Sequence, residues 1–249
     1  MLRGCTIHRR PLLEFPPANS PRPNKKGQMT RETIRARIEE IGIIPSVRLS
    51  STEDAMFAAE AVGSSGIPIV EVTMTVPGAV KVIHSLTAEN PDLIAGAGTV
   101  LDIETARRCL DAGARFLTTT GLDLEIVEFA LKKNVVVFPG ACTPTEVMTA
   151  FKTGSDFVKV FPCSAMGGPG YIRALRGPFP HIPFIAAGGV NQSTVAEFIL
   201  AGANAVGVGG DLIHQEAIRR RERDWIRELS RRYAGLVKQA RGDKAPPKE

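Results

Sequence analysis

Lys159 stands in the middle of "SDFVKVFP", an otherwise apolar run that reads as a buried β-strand. A lysine is almost never fully buried without a partner, because stripping water from its ammonium is costly. A second run, "IPIVEVTM", carries Glu71 in the same way. Two readings are open for these residues. One is a buried ion pair, which commonly adds little net stability because desolvation offsets the attraction. The other is chemistry. A lysine in a dry place sheds its proton readily, the neutral amine attacks a carbonyl, and a nearby carboxylate moves protons directly or through a water. The chain has no metal-ligand motif, so an iminium is the natural electron sink for carbon–carbon cleavage.

Such residues need elements to aim them. From Thr30 onward the chain repeats a short β-branched run, a turn and a helical stretch. The predicted strands are Ile43–Leu49, Ile67–Met74, Leu93–Val100, Ala114–Thr120, Asn134–Gly140, Asp156–Pro162, Pro183–Gly189 and Asn204–Gly210. Between them lie helical segments such as "TEDAMFAAEAVGSSG", "DIETARRCLDAGA" and "QSTVAEFILAGA", with Thr52, Asp102 and Asn191 as expected N-caps and glycines near the ends. Strands alternating with helices predict a parallel sheet with helices outside, and eight such units predict a closed (β/α)8 TIM barrel. An open doubly wound sheet is the runner-up, but no G-x-G-x-x-G follows the first strand. "TRETIRARIEEIG" ahead of that strand predicts an extra N-terminal helix over the bottom of the barrel.

Strand parity then assigns faces. Val70, Val72 and Met74 share one parity and should pack under the helices, which turns Glu71, Thr73 and Thr75 inward. Val158 and Val160 do the same in the sixth predicted strand, so Phe157, Lys159 and Phe161 point inward. Arg48 shares its parity with Ser46 and Ser50, and Thr99 ends the third strand. Lys159, Glu71, Arg48 and Thr99 thus converge near the C-terminal mouth, where barrel enzymes do their chemistry. Two glycine pairs, Gly188-Gly189 and Gly209-Gly210, end the last two strands ahead of helices. Their amides and the following helix N-termini could cradle a phosphate, although glycine pairs also simply make tight turns. "MGGPG" (Met166–Gly170) is expected to be a flexible loop at the mouth, with a plain turn as its alternative.

Composition narrows the partners. The 249 residues carry a formal net charge of +5, concentrated in the two ends of the chain. No aromatic residues alternate with a basic stripe, which argues against nucleic acid. No apolar run is long enough to span a membrane. The four cysteines and four histidines are scattered without metal-ligand or disulfide spacing, so no metal or other cofactor is expected, and reduced thiols fit a cytoplasmic protein. Residues 1–28 are Pro-rich and basic with no apolar periodicity, and are expected to be a disordered extension. A single barrel domain over 29–240 follows, then a frayed tail over 241–249.

Taken together, "VEVTMTVPGA", "GAGTVL", "PGACTPTEV", "FVKVFPCSAMGGPGYIRALRGPFP" and "AAGGV" resemble the 2-keto-3-deoxy-6-phosphogluconate (KDPG) and 4-hydroxy-2-oxoglutarate (KHG) aldolases. The resemblance runs from about Thr30 to the eighth strand. It implies metal-independent class I aldolase chemistry on a small 2-keto acid in a homotrimer of (β/α)8 barrels. By position it makes Lys159 the Schiff-base lysine and Glu71 the general acid/base. It puts Arg48 and Thr99 on the pyruvate carboxylate, Phe161 beside the imine, and Gly188, Gly189, Gly209 and Gly210 at the phosphate. The chain departs from the pattern at three places. Thr75 stands where many members have Arg, Thr119-Thr120 where Ser-Pro is frequent, and Asp211 where a small Ser is common. These leave two other identities to weigh: an aldolase for the epimeric 2-keto-3-deoxy-6-phosphogalactonate, which the acidic Asp211 also fits, and a non-catalytic barrel binding a phosphorylated metabolite.

Overall fold

The computed structural model describes residues 29–242; the extension expected over 1–28 and residues 243–249 of the expected tail lie outside the described residues. Helix α1 (Arg31–Ile41) opens the described chain and is followed by β1 (Ile43–Val47). The series then runs α2 (Thr52–Gly63), β2 (Ile69–Thr73), α3 (Ala79–Glu89), β3 (Ile94–Gly98), α4 (Ile103–Asp111), β4 (Phe116–Thr118), α5 (Leu124–Lys132) and β5 (Val136–Phe138). It continues with β6 (Gly140–Ala141), α6 (Pro144–Lys152), β7 (Val158–Val160), α7 (Pro169–Arg176), β8 (Phe184–Ala187), α8 (Val195–Leu200) and β9 (Ala205–Val208). Helices α9 (Gln215–Arg219) and α10 (Arg223–Ala240) close it.

All pairings are parallel, in the order β5-β4-β3-β2-β1-β9-β8-β7-β6. The expected fifth strand is two short ones. Pro139 has no N–H to offer a neighbour and interrupts the ladder, so β5 pairs with β4 while β6 pairs with β7. The Lys159 amide donates to the Pro139 carbonyl at 2.9 Å and the Asp156 amide to the Val137 carbonyl at 3.1 Å, which carries the ring across the break. The barrel therefore has eight staves, one of them jointed.

Two apolar layers result. Val70, Val72, Val158 and Val160 pack outward under the helices, as parity requires. Ile44, Ile69, Ile94, Phe116, Val136, Phe138, Phe157, Ile185 and Ala205 fill the lower interior. Helix α1 covers that plug, as expected, burying Ile34 and Ile38 against it. Each such side chain contributes about 1.5–3 kcal/mol. Local signals start the helices where chemistry allows. Asp102 caps α4 by accepting from the Thr105 amide, and Thr143 and Glu146 form a capping box with Pro144 at the first position of α6. Helix α2 is capped by Ser51 rather than Thr52, whose hydroxyl donates instead to the Pro77 carbonyl at 2.7 Å. Asn191 accepts from the Ser193 and Thr194 amides in the turn ahead of α8, one step before the helix proper. "MGGPG" is a turn, not a free loop: Gly167 and Gly168 take φ of 114° and 62°, and Pro169 starts α7.

Asp156 ties the bottom together. Its carboxylate accepts from Arg31 through Nε at 2.9 Å and Nη2 at 3.0 Å, and also from the Val137 amide at 3.0 Å. Asp156→Ala strands that amide and frees α1 at one end. It should lower the unfolding free energy by about 2–4 kcal/mol, read from urea denaturation.

Candidate active site

The upper half of the barrel interior is a cavity of about 270 Å³, closed below by the apolar plug. Lys159 enters it from β7 and Glu71 from β2, only 8% and 5% exposed. Lys159 Nζ lies 3.6 Å from Glu71 Oε2, in ion-pair contact but short of a tight charge-assisted hydrogen bond. The other carboxylate oxygen, Oε1, accepts from Ser46 Oγ at 2.8 Å. Ser46 and Glu71 are register partners on β1 and β2, so the two side chains rise side by side. Gly98 on β3 makes room for them: a Cβ there would overlap the Glu71 carboxylate. The ammonium also sits 5.7 Å from the centre of the Phe161 ring, within reach of its π face.

Arg48 lines the rim of the cavity, and its Nη2 reaches Thr99 Oγ1 at 3.4 Å. Among the lining residues Arg48 and Lys159 are the cations. Thr99 holds φ of 58°, a left-handed conformation that a β-branched residue avoids. It is gripped on both sides, by the bond from the Met74 amide to the Gly98 carbonyl and by that from the Val100 amide to the Thr118 carbonyl. Strain of this kind concentrates at functional sites.

At the far end lie Gly188, Gly189, Gly209 and Gly210, together with Asp211. Gly188 and Gly189 have φ of 89° and 81°, which explains glycine at both positions. The helices after the two pairs begin only at Val195 and Gln215, so the helix N-termini are displaced from the glycines, and it is the loops that line the cavity. Two expected residues lie elsewhere. Thr75 shares a 2.7 Å hydrogen bond with Thr73 and lines an outer cleft beside Arg48, and Thr120 is likewise outside the cavity lining. Phe161 and the four glycines line the cavity with Lys159, Glu71 and Arg48, whereas Thr99 is outside the lining and joins the set through its bond with Arg48. Ser46 entered the sequence reading only as a parity mate of Arg48; its bond to Glu71 needs the β1–β2 register, which periodicity does not supply.

Among the described residues no cysteine lines the cavity. Burial pushes the Cys109 thiol up to about 11 and the Cys163 thiol up to about 12, so both stay protonated and unreactive at neutral pH. Among the described residues no group of three or more His, Cys, Asp or Glu is placed to hold a metal ion, and no helix is long and apolar enough to cross a membrane.

Known proteins resemble this chain in sequence and fold. The model of the KDPG and KHG aldolase family matches residues 34–229. A 2-dehydro-3-deoxy-phosphogluconate aldolase of Pseudomonas aeruginosa is 36% identical over 206 residues, covering 80% of this chain and 93% of that protein. A crystal structure of the Legionella pneumophila KDPG aldolase, with pyruvate captured as a covalent carbinolamine intermediate, superposes with a TM-score of 0.73 at 32% identity. It covers 79% of this chain and 95% of that one. A structure described as native KDPGal gives a TM-score of 0.73 at 28% identity, over 80% and 96% of the two chains.

Relieving the strain at Thr99 gives a test of how the site is built. Thr99→Gly should leave stability unchanged or raise it by up to about 1 kcal/mol, although it deletes a side chain. Urea unfolding of the two proteins side by side checks this, and a clear loss of stability would show that Thr99 is held there for packing.

Proposed function

The chain belongs to the KDPG and KHG aldolase family, and from that premise we propose that it is a class I, Schiff-base aldolase releasing pyruvate from a 2-keto acid. The substrates are KDPG, giving pyruvate and glyceraldehyde 3-phosphate, and 4-hydroxy-2-oxoglutarate, giving pyruvate and glyoxylate. The observation that carries the reading is the buried Lys159–Glu71 contact at 3.6 Å in a cavity sealed from below. The carbinolamine in the Legionella relative is the adduct that precedes a Schiff base, which supports the same chemistry here.

The steps follow from the positions. Lys159 attacks the C2 ketone, and water leaves with a proton supplied by Glu71. The resulting iminium accepts the electron pair of the breaking C3–C4 bond, while Glu71 assists removal of the proton from the C4 hydroxyl. The aldehyde departs, the enamine is protonated at C3, and hydrolysis returns Lys159 and pyruvate. Arg48 and Thr99 hold the carboxylate at the rim, and Phe161 packs beside the imine. The loop amides around Gly188, Gly189, Gly209 and Gly210 receive the distal phosphate. Asp211 in the cavity lining favours one second reading, cleavage of the phosphogalactonate epimer. A homotrimer and a cytoplasmic setting complete the proposal, the first from the resemblance and the second from the scattered thiols.

Borohydride added with pyruvate should reduce the imine to a stable amine, and mass spectrometry should place the adduct on Lys159; an unmodified Lys159 would sink the Schiff-base reading. Lys159→Ala should fold and lose aldol cleavage, since it removes the nucleophile without opening the plug beneath. At the other end of the cavity, kcat/KM should be higher for phosphorylated than for unphosphorylated 2-keto acids. A preference for the unphosphorylated kind would argue that the glycine loops do not bind phosphate.

A further inference from the structure

Ser46 is the polar group that fixes which way Glu71 faces. Its hydroxyl lies 2.8 Å from Oε1, on the side of the carboxylate away from Lys159, whose ammonium meets Oε2. On β3 the missing Cβ of Gly98 leaves the carboxylate the space it occupies. With Oε1 held, Oε2 is the oxygen presented to Lys159 and to anything bonded to it. A hydroxyl suits this task because a single atom both donates and accepts, whereas an ammonium only donates. It donates to the carboxylate, and by turning it accepts from the carboxylic acid, so it can hold Glu71 through both halves of a proton-transfer cycle.

We propose that Ser46 is the positioning residue for Glu71, orienting its carboxyl group for proton transfer to and from the carbon skeleton bound at Lys159. The proposal rests on the aldolase reading above, and it concerns a residue that itself forms no bond to substrate. The step that isolates it is hydrogen exchange in pyruvate without any cleavage. Lys159 Nζ adds to C2 and water leaves, giving the iminium. Glu71 takes a proton from the C3 methyl, giving the enamine. In deuterated water the carboxyl group exchanges that proton with solvent and returns a deuteron to C3, and hydrolysis releases monodeuterated pyruvate.

The test measures loss of the pyruvate methyl signal by proton NMR in D2O, alongside borohydride trapping, for the unmodified protein, Ser46→Ala and Ser46→Thr. Misaligned catalytic groups lose about 10- to 100-fold in rate. Ser46→Ala should slow exchange by that factor and lower kcat for cleavage with little change in KM, yet still yield the borohydride adduct. Ser46→Thr keeps the hydroxyl and should restore most of the exchange. Exchange by Ser46→Ala at the unmodified rate overturns the proposal, and so does equal loss in both variants, which would mark a steric role. Failure of the unmodified protein to form the adduct overturns the aldolase reading and this proposal with it.

Discussion

A charged pair in a place without bulk water is the constraint on which the rest of the structure turns. Lys159 and Glu71 each sacrifice hydration to sit inside the barrel, and neither could do so alone. Keeping them there needs three things at once: a floor that admits no water, neighbours small enough to leave room, and a polar partner for the carboxylate oxygen that the lysine does not meet. The plug of Ile44, Ile69, Ile94, Phe116, Phe138 and Phe157 supplies the floor, with α1 closing it from outside. Gly98 supplies room and Ser46 supplies the partner. The barrel is thus two materials stacked along one axis, apolar below and polar above, with the boundary set just beneath Lys159.

The boundary depends on strand parity and on register together. Parity turns Glu71 and Lys159 inward because Val70, Val72, Val158 and Val160 must meet the helices. Register sets their heights. Ser46 is level with Glu71, while Gly140 is level with Lys159 across the jointed stave. A slip of one residue in β7 would drive Lys159 into the helix layer, so the outward valines hold the site in place as firmly as any polar contact. Asp156, two residues before β7, anchors the same segment to α1 and to the Val137 amide, and so pins the strand that carries Lys159.

How much of this was legible in the sequence follows from which forces are local. Alternation along β2 and β7 is local, so the inward set around Lys159 and Glu71 could be read directly, and so could the eight units and the covering helix. The joint at Pro139 was hidden because "NVVVFPG" satisfies a strand pattern from end to end, and only the absent N–H breaks the ladder. The cap of α2 fell on Ser51 instead of Thr52 because both side chains can cap, and the choice is made by Pro77, which draws the Thr52 hydroxyl away. Thr75 and Thr120 continue the parity of their strands on paper, but β2 and β4 end at Thr73 and Thr118, and past a strand's end parity no longer aims a side chain.

The fate of Thr75 bears on how this member of the family handles a carboxylate. Its hydroxyl is engaged with that of Thr73, which also bonds the Val47 carbonyl, so that corner of β2 is tied side chain to side chain and to the backbone of β1. No cation rises from β2. The cation at the rim is Arg48, at the exit of the neighbouring strand β1. In the proposed reaction β1 and its exit serve both halves: Ser46 within the strand holds the proton carrier, and Arg48, one residue past the strand's end and in contact with Thr99, faces the substrate's acid group.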